Sequence, residues 1–121
     1  MHYAALASGS KGNCHALSDG DRTLLIDAGI SLKQILARLE QFGGDFGSVR
    51  ALALTHEHSD HVSAVDVILR RTTWVILATA ETRRAVEARQ TEKIEASRWV
   101  ELKAGQATNW EGWRAALRPA P

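Results

Sequence analysis

The stretch Leu54-Thr55-His56-Glu57-His58-Ser59-Asp60-His61-Val62 follows the apolar run Val49-Arg50-Ala51-Leu52-Ala53, and it decides how the rest of the chain is read. Val49 to Thr55 has the composition of a strand, so the histidines fall in the loop at its carboxyl end, where α/β proteins place their chemistry. Packing does not call for three imidazoles and a carboxylate within six residues. Metal binding does, because neutral imidazole suits Zn²⁺ and related first-row ions and a carboxylate adds a charged oxygen donor. His56 and His58 are two positions apart rather than four, so they do not form the His-Glu-x-x-His pair that shares one helix face. Ligands two apart converge on one ion when the loop curls, while Asp60 and His61, at the start of the next helix, are placed for a second. Two divalent ions therefore fit better than one. Such a pair holds a bridging hydroxide and neutralises charge on a phosphoryl or carbonyl oxygen.

Working outward, the spacing predicts strands over Tyr3 to Ala7, Cys14 to Leu17 and Arg22 to Asp27, with Asp19-Gly20 as a hairpin turn. The third of these has a continuous apolar centre, Leu24-Leu25-Ile26, which suggests burial on both faces, and it ends on a carboxylate, Asp27. Ser31 and Gln34 have the spacing of a capping box, and Ile30 and Ile35 that of a hydrophobic staple. Leu32, Ile35, Leu36, Leu39 and Phe42 recur at helical spacing up to the stop Gly43-Gly44. A short helix around Val62 to Leu69, a strand over Trp74 to Ala78, a helix capped by Thr79 and running to about Arg89, and a strand over Trp99 to Leu102 follow. Another strand is expected to start around Trp110 and Trp113, and all four tryptophans are read as core or sheet-covering groups. Strands alternating with helices predict an α/β fold with a mixed sheet beneath helices.

A chain of 121 residues with 45% hydrophobic and 24% charged content is that of one ordinary globular domain. No apolar run approaches the roughly 20 residues needed to span a bilayer, and Met1 to Leu6 lacks the pattern of a signal peptide, so a cytoplasmic protein without membrane association is expected. The single Cys14 has no partner for a disulfide. Net charge is +1, and Arg70, Arg71, Arg83, Arg84, Arg89 and Arg98 are read as solvated helix faces rather than a nucleic-acid stripe. His2 and His15 are read as ordinary strand residues, and Glu57, alternating with the ligands, as structural.

Thr55 to His61 resembles the hallmark His-x-His-x-Asp-His of the metallo-β-lactamase superfamily, with Asp27 standing where that family has an aspartate closing an earlier strand. The resemblance implies an αββα sandwich in which His56 and His58 hold one metal and Asp60 and His61 the other. It further implies that Asp60 handles a proton, and that Asp27 orients the metal-binding loop without touching the ions. A narrower resemblance, carried by Ala7-Ser8-Gly9-Ser10-Lys11-Gly12-Asn13-Cys14, by Leu25-Ile26-Asp27-Ala28-Gly29-Ile30-Ser31 and by Leu54 to Val62, is to the bacterial YycJ/WalJ-type branch. That implies hydrolysis of phosphodiester bonds in DNA, with Zn or Mn as the two ions. RNA processing, or hydrolysis of another small substrate by the same fold, is the alternative. The small residues of the Ser8–Asn13 loop have two readings. Ser8, Ser10 and Asn13 contact a ligand or the metal loop, or else the segment is a tight turn between strands.

The family uses three further ligands, and after His61 the chain has no histidine at all. Residues 1–121 are accordingly expected to be the N-terminal part of one metallo-β-lactamase-fold domain, about its first β-β-α half, without the C-terminal half. Four ligands divided between two sites predict weak metal binding and little or no turnover by this chain alone, leaving it at most a metal-binding or interaction module. A half-sandwich also predicts self-association through the uncovered sheet.

Overall fold

The computed structural model describes residues 2–8, 12–55, 59–90 and 94–116, with the side chains of all of these except 59–63 and 115–116. Six strands form one sheet in sequence order: β1 (His2–Ala7), β2 (Cys14–Asp19), β3 (Arg22–Ile26), β4 (Val49–Ala53), β5 (Val75–Thr79) and β6 (Trp99–Leu102). The first three pair antiparallel, and β3 to β6 pair parallel, so the sheet is mixed as expected. Parallel neighbours need crossovers, supplied by α1 (Leu32–Gln41), α2 (Ser59–Arg71) and α3 (Ala80–Glu87). A two-stranded hairpin, β7 (Ala107–Trp110) and β8 (Trp113–Ala116), completes the chain described.

The alternation of side chains along the strands sorts the core into two layers. Leu25, Leu52, Ile76 and Trp99 face one side, where Leu32, Ile35 and Leu39 of α1, Val65 and Ile68 of α2 and Val86 of α3 cover them. Leu24, Ala51, Leu77 and Leu102 face the other, where Trp113 covers them with Trp110 packed alongside. The central strands are thus buried on both faces, which explains why β3 reads as a continuous apolar run rather than an alternating one. Trp74, Trp99 and Trp113 are buried, in line with their reading as core and cover.

The capping box at α1 is present: the Ser31 hydroxyl accepts from the Gln34 N–H, and the Gln34 side chain accepts from the Ser31 N–H. Thr79 caps α3 by accepting from the Thr82 N–H. Arg38 on α1 donates to the Leu6 carbonyl at 2.7 Å and ties the helix to β1.

Several expectations need correction. The hairpin turn lies one residue later than read, at Gly20-Asp21, because Asp19 is still paired with Arg22. Phe42 is 61% exposed: it sits at the C-cap, where the chain leaves the helix before completing the turn that would bring it to the core. α2, Ser59–Arg71, is longer than the apolar spacing around Val62 to Leu69 suggested, with Asp60 and His61 at its start as expected. Arg98 is not a solvated surface group. Its guanidinium reaches under the sheet edge to donate to the carbonyls of Trp74 at 2.9 Å and Leu69 at 3.1 Å, and burial lowers its pKa. Arg70 and Arg83 do lie on helix faces, paired with Asp66 and Glu87.

Candidate metal-loop site

Each parallel strand delivers its carboxyl end to the same edge of the sheet, and Asp27, Thr55 and the start of α2 lie there. β3 ends at Ile26 and β4 at Ala53, and the two are register partners. The ladder continues one step past both strands: the Asp27 N–H donates to the Ala53 carbonyl at 2.8 Å, and the Leu54 N–H to the Leu77 carbonyl at 2.9 Å. The backbone feeding the histidine loop is therefore fixed up to Leu54.

Asp27 fixes the next residue. Its Oδ1 accepts from the Thr55 N–H at 2.9 Å and its Oδ2 from the Thr55 hydroxyl at 2.7 Å. Asp27 is 5% exposed, so this carboxylate meets most of its need for donors inside the protein. Its φ of 61° lies in the left-handed region, where a non-glycine residue is held only by surrounding structure, and Asp is among the few types that tolerate it. That turn swings the carboxylate off the line of β3 and toward Thr55. Sequence reading gave Asp27 its place but assigned nothing to Thr55, whose amide and hydroxyl together form the grip. The signal was a hydroxyl residue directly before the first histidine.

Gly12 and Asn13 meet this edge through backbone. The Gly29 N–H donates to the Asn13 carbonyl at 2.8 Å. A Cβ added to Gly29 would lie 2.7 Å from the Gly12 Cα, and one added to Gly12 would lie 2.9 Å from the Gly29 carbonyl carbon. The two glycines press main chain against main chain, and Gly12 and Asn13 brace the segment that follows Asp27. Ser8 is exposed at the end of β1, and Ser10 lies outside the described residues.

Cys14 starts β2 beneath this brace, fully buried. Burial pushes its thiol up to about 12, the nearby Asp27 carboxylate pushes the same way, and the Arg38 guanidinium opposes them. A thiol held protonated in this way is a poor nucleophile.

Of the ligand candidates, His56 and His58, with Glu57 between them, lie outside the described residues. Asp60 and His61 are placed by their backbone in the first turn of α2, immediately after the loop. Among the described residues no group of three His, Cys, Asp or Glu side chains forms a metal cage. Beside Thr55, on the face opposite the helices, an apolar depression of about 240 Å³ runs between Ile26, Ala53, Leu77 and Trp113. His15 lies in β2, and across the β1–β2 pair its Nδ1 lies 2.7 Å from the Tyr3 hydroxyl. No helix is long and apolar enough to cross a membrane among the described residues.

The chain is 39% identical over 85 residues to the exodeoxyribonuclease WalJ of Streptococcus pneumoniae, covering 70% of this chain and 32% of that protein. It is 36% identical over 87 residues to the exodeoxyribonuclease YycJ of Bacillus anthracis, covering 72% and 33%. Among solved structures it resembles MEM-A1, a subclass B3 metallo-β-lactamase from a soil metagenome library, with a TM-score of 0.72 at 18% identity over 98% of this chain and 50% of that one. Rm3 metallo-β-lactamase gives a TM-score of 0.69 at 17% identity, over 88% and 44%. The chain thus spans about a third of the length of the curated relatives and about half of these solved chains. The profile of the metallo-beta-lactamase superfamily matches residues 7–119, nearly the whole sequence, and the protein belongs to that superfamily.

Proposed function

We propose that these residues form the first half of a single metallo-β-lactamase-fold domain that hydrolyses phosphodiester bonds in DNA with the help of two divalent metal ions, Zn or Mn. The observation that carries the reading is the buried Asp27 carboxylate bonded to both the amide and the hydroxyl of Thr55, one residue before His56. A carboxylate is spent on aiming a loop where that loop must hold its shape against the pull of bound ions.

The donor set, three imidazoles and a carboxylate, suits first-row divalent ions. His56 and His58 would hold one, Asp60 and His61 the other. When bound, the ions supply a nucleophilic hydroxide at neutral pH and neutralise charge on the phosphate. This chain's own residues do the rest. Asp27 and Thr55 keep the loop in register with β4, Gly12 and Gly29 lock the neighbouring turn against it, and Asp60 takes or gives a proton at its carboxylate. The preference for DNA is supported by the exodeoxyribonuclease relatives, and a DNA substrate agrees with the cytoplasmic setting expected from the sequence.

The test is degradation of linear DNA, with added Mn²⁺ or Zn²⁺, by a form of the protein that carries the remaining half of the family domain. Asp60→Ala is expected to lower the rate by about 10²–10⁴-fold. An Asp60→Ala protein as active as the parent sinks the assignment, and cleavage of RNA with DNA left intact redirects it to RNA processing.

A further inference from the structure

α1 and α2 each follow a parallel strand, so both start at the carboxyl edge of the sheet and run back across it side by side. Their outer surfaces do not close on each other. A groove of about 440 Å³ beginning at Gly29 and Ile30 continues into one of about 620 Å³ ending at Phe46 and Arg71, the two parts sharing Leu32, Lys33 and Val67. Its floor is apolar: Ile30, Leu36, Ala64, Val67 and Phe46. Phe46 is held in place by Trp74, with ring centroids 5.7 Å apart, yet stays 45% exposed. The rim is cationic, with Lys33 on α1 and Arg70 and Arg71 on the last turn of α2, and no carboxylate lines the groove among the described residues. Arg70 shares its charge with Asp66, whereas Lys33 and Arg71 have no carboxylate within reach among the ion pairs of the described residues.

An apolar floor between positive walls selects its occupant by charge complementarity. Phosphates alone would answer the cations but leave the floor uncovered, and a stacked nucleic-acid strand needs a row of aromatic rings, whereas Phe46 is the one aromatic ring among the described lining residues. An amphipathic helix with apolar side chains on one face and carboxylates flanking them satisfies floor and rim together. The ten residues of α1 span about 15 Å, room for two to three turns of such a helix. We propose that the α1–α2 groove is a docking site for an acidic amphipathic peptide segment of a partner protein, independent of the metal-loop chemistry.

The probe is a synthetic, fluorescently labelled amphipathic helix of about four turns with Leu along one face and Glu on the others, titrated into the folded chain. Saturable binding is expected, with NMR shift changes at Leu36, Phe46 and Val67. The Lys33→Glu, Arg71→Glu double variant, whose changes are on the exposed rim and whose fold is checked by circular dichroism, is expected to bind at least about tenfold more weakly. The same peptide with Lys in place of Glu is expected not to bind. Equal binding of the Lys peptide, an affinity unmoved by the double charge reversal, or no saturable binding overturns the proposal. Displacement of the peptide by a single-stranded oligonucleotide that itself depends on Lys33 and Arg71 overturns it in favour of nucleic acid.

Discussion

At the scale of single residues, the site is a problem in aiming a loop. Asp27 adopts a strained φ so that one carboxylate can hold the amide and the hydroxyl of Thr55. Asp27→Ala leaves the Thr55 amide and hydroxyl without this acceptor while keeping the strain, and is expected to cost about 2–3 kcal/mol in chemical denaturation. Asp27→Gly, which relieves the strain but not the lost bonds, should be about 1 kcal/mol less damaging, and that difference separates the two effects. Gly29→Ala drives a Cβ into the Gly12 main chain and is expected to cost about 1–3 kcal/mol, whereas an alanine at the exposed Gly47 should be far milder.

Cys14 gives a pH signature at the same scale. The unfolded thiol ionises near 9, while the folded one keeps its proton up to about 12. The group's contribution to stability is therefore whole below about 9 and is lost as pH rises toward 12. Between those limits the parent should lose stability faster with pH than Cys14→Ala, by up to about 1.4 kcal/mol per pH unit, as read from urea midpoints.

At the scale of elements, legibility followed the range of the interaction. The α1 capping box, the Thr79 cap and the βαβ alternation rest on residues three or four apart, and they were readable from local spacing. Ser31→Ala is expected to lower stability by about 1 kcal/mol, with Gln34→Ala partly non-additive because the two share one box. The Asp27–Thr55 grip, the Gly12–Gly29 contact and the Arg98 bonds to Trp74 and Leu69 were not readable. They join residues 17 to 29 positions apart, and only the sheet register brings them together. The β7–β8 region was read as a single strand starting around Trp110 and Trp113 and not as a hairpin, because its two-residue turn uses Glu111 at φ 46° before Gly112 at φ 86°, and Glu is an unusual choice there. Arg22 secures that hairpin by donating to the Glu111 carbonyl and lying over the Trp113 ring at 5.4 Å. Arg22→Ala should raise amide exchange over residues 107–116 while leaving the helical face of the sheet protected.

At the scale of the whole molecule, the central strands are sandwiched between a helical layer and a thinner cover supplied by Trp110 and Trp113. The candidate metal-loop edge and the α1–α2 groove belong to that one frame, since α1 after β3 and α2 after β4 both begin at the carboxyl edge of the sheet. The family and the fold class were legible because one dense motif and an alternating element pattern carry them, while the brace behind the motif is a tertiary feature. Under the proposed function, that brace would make metal binding depend on a residue that does not bind metal.

The most direct measurement is calorimetric titration of Zn²⁺ into the parent, His58→Ala, Glu57→Ala and Asp27→Ala chains, each verified as folded. Weak binding is expected in the parent, abolished by His58→Ala, unchanged by Glu57→Ala and weakened about 10–100-fold by Asp27→Ala. Zinc binding that survives His58→Ala, or that Asp27→Ala leaves intact, would contradict the account.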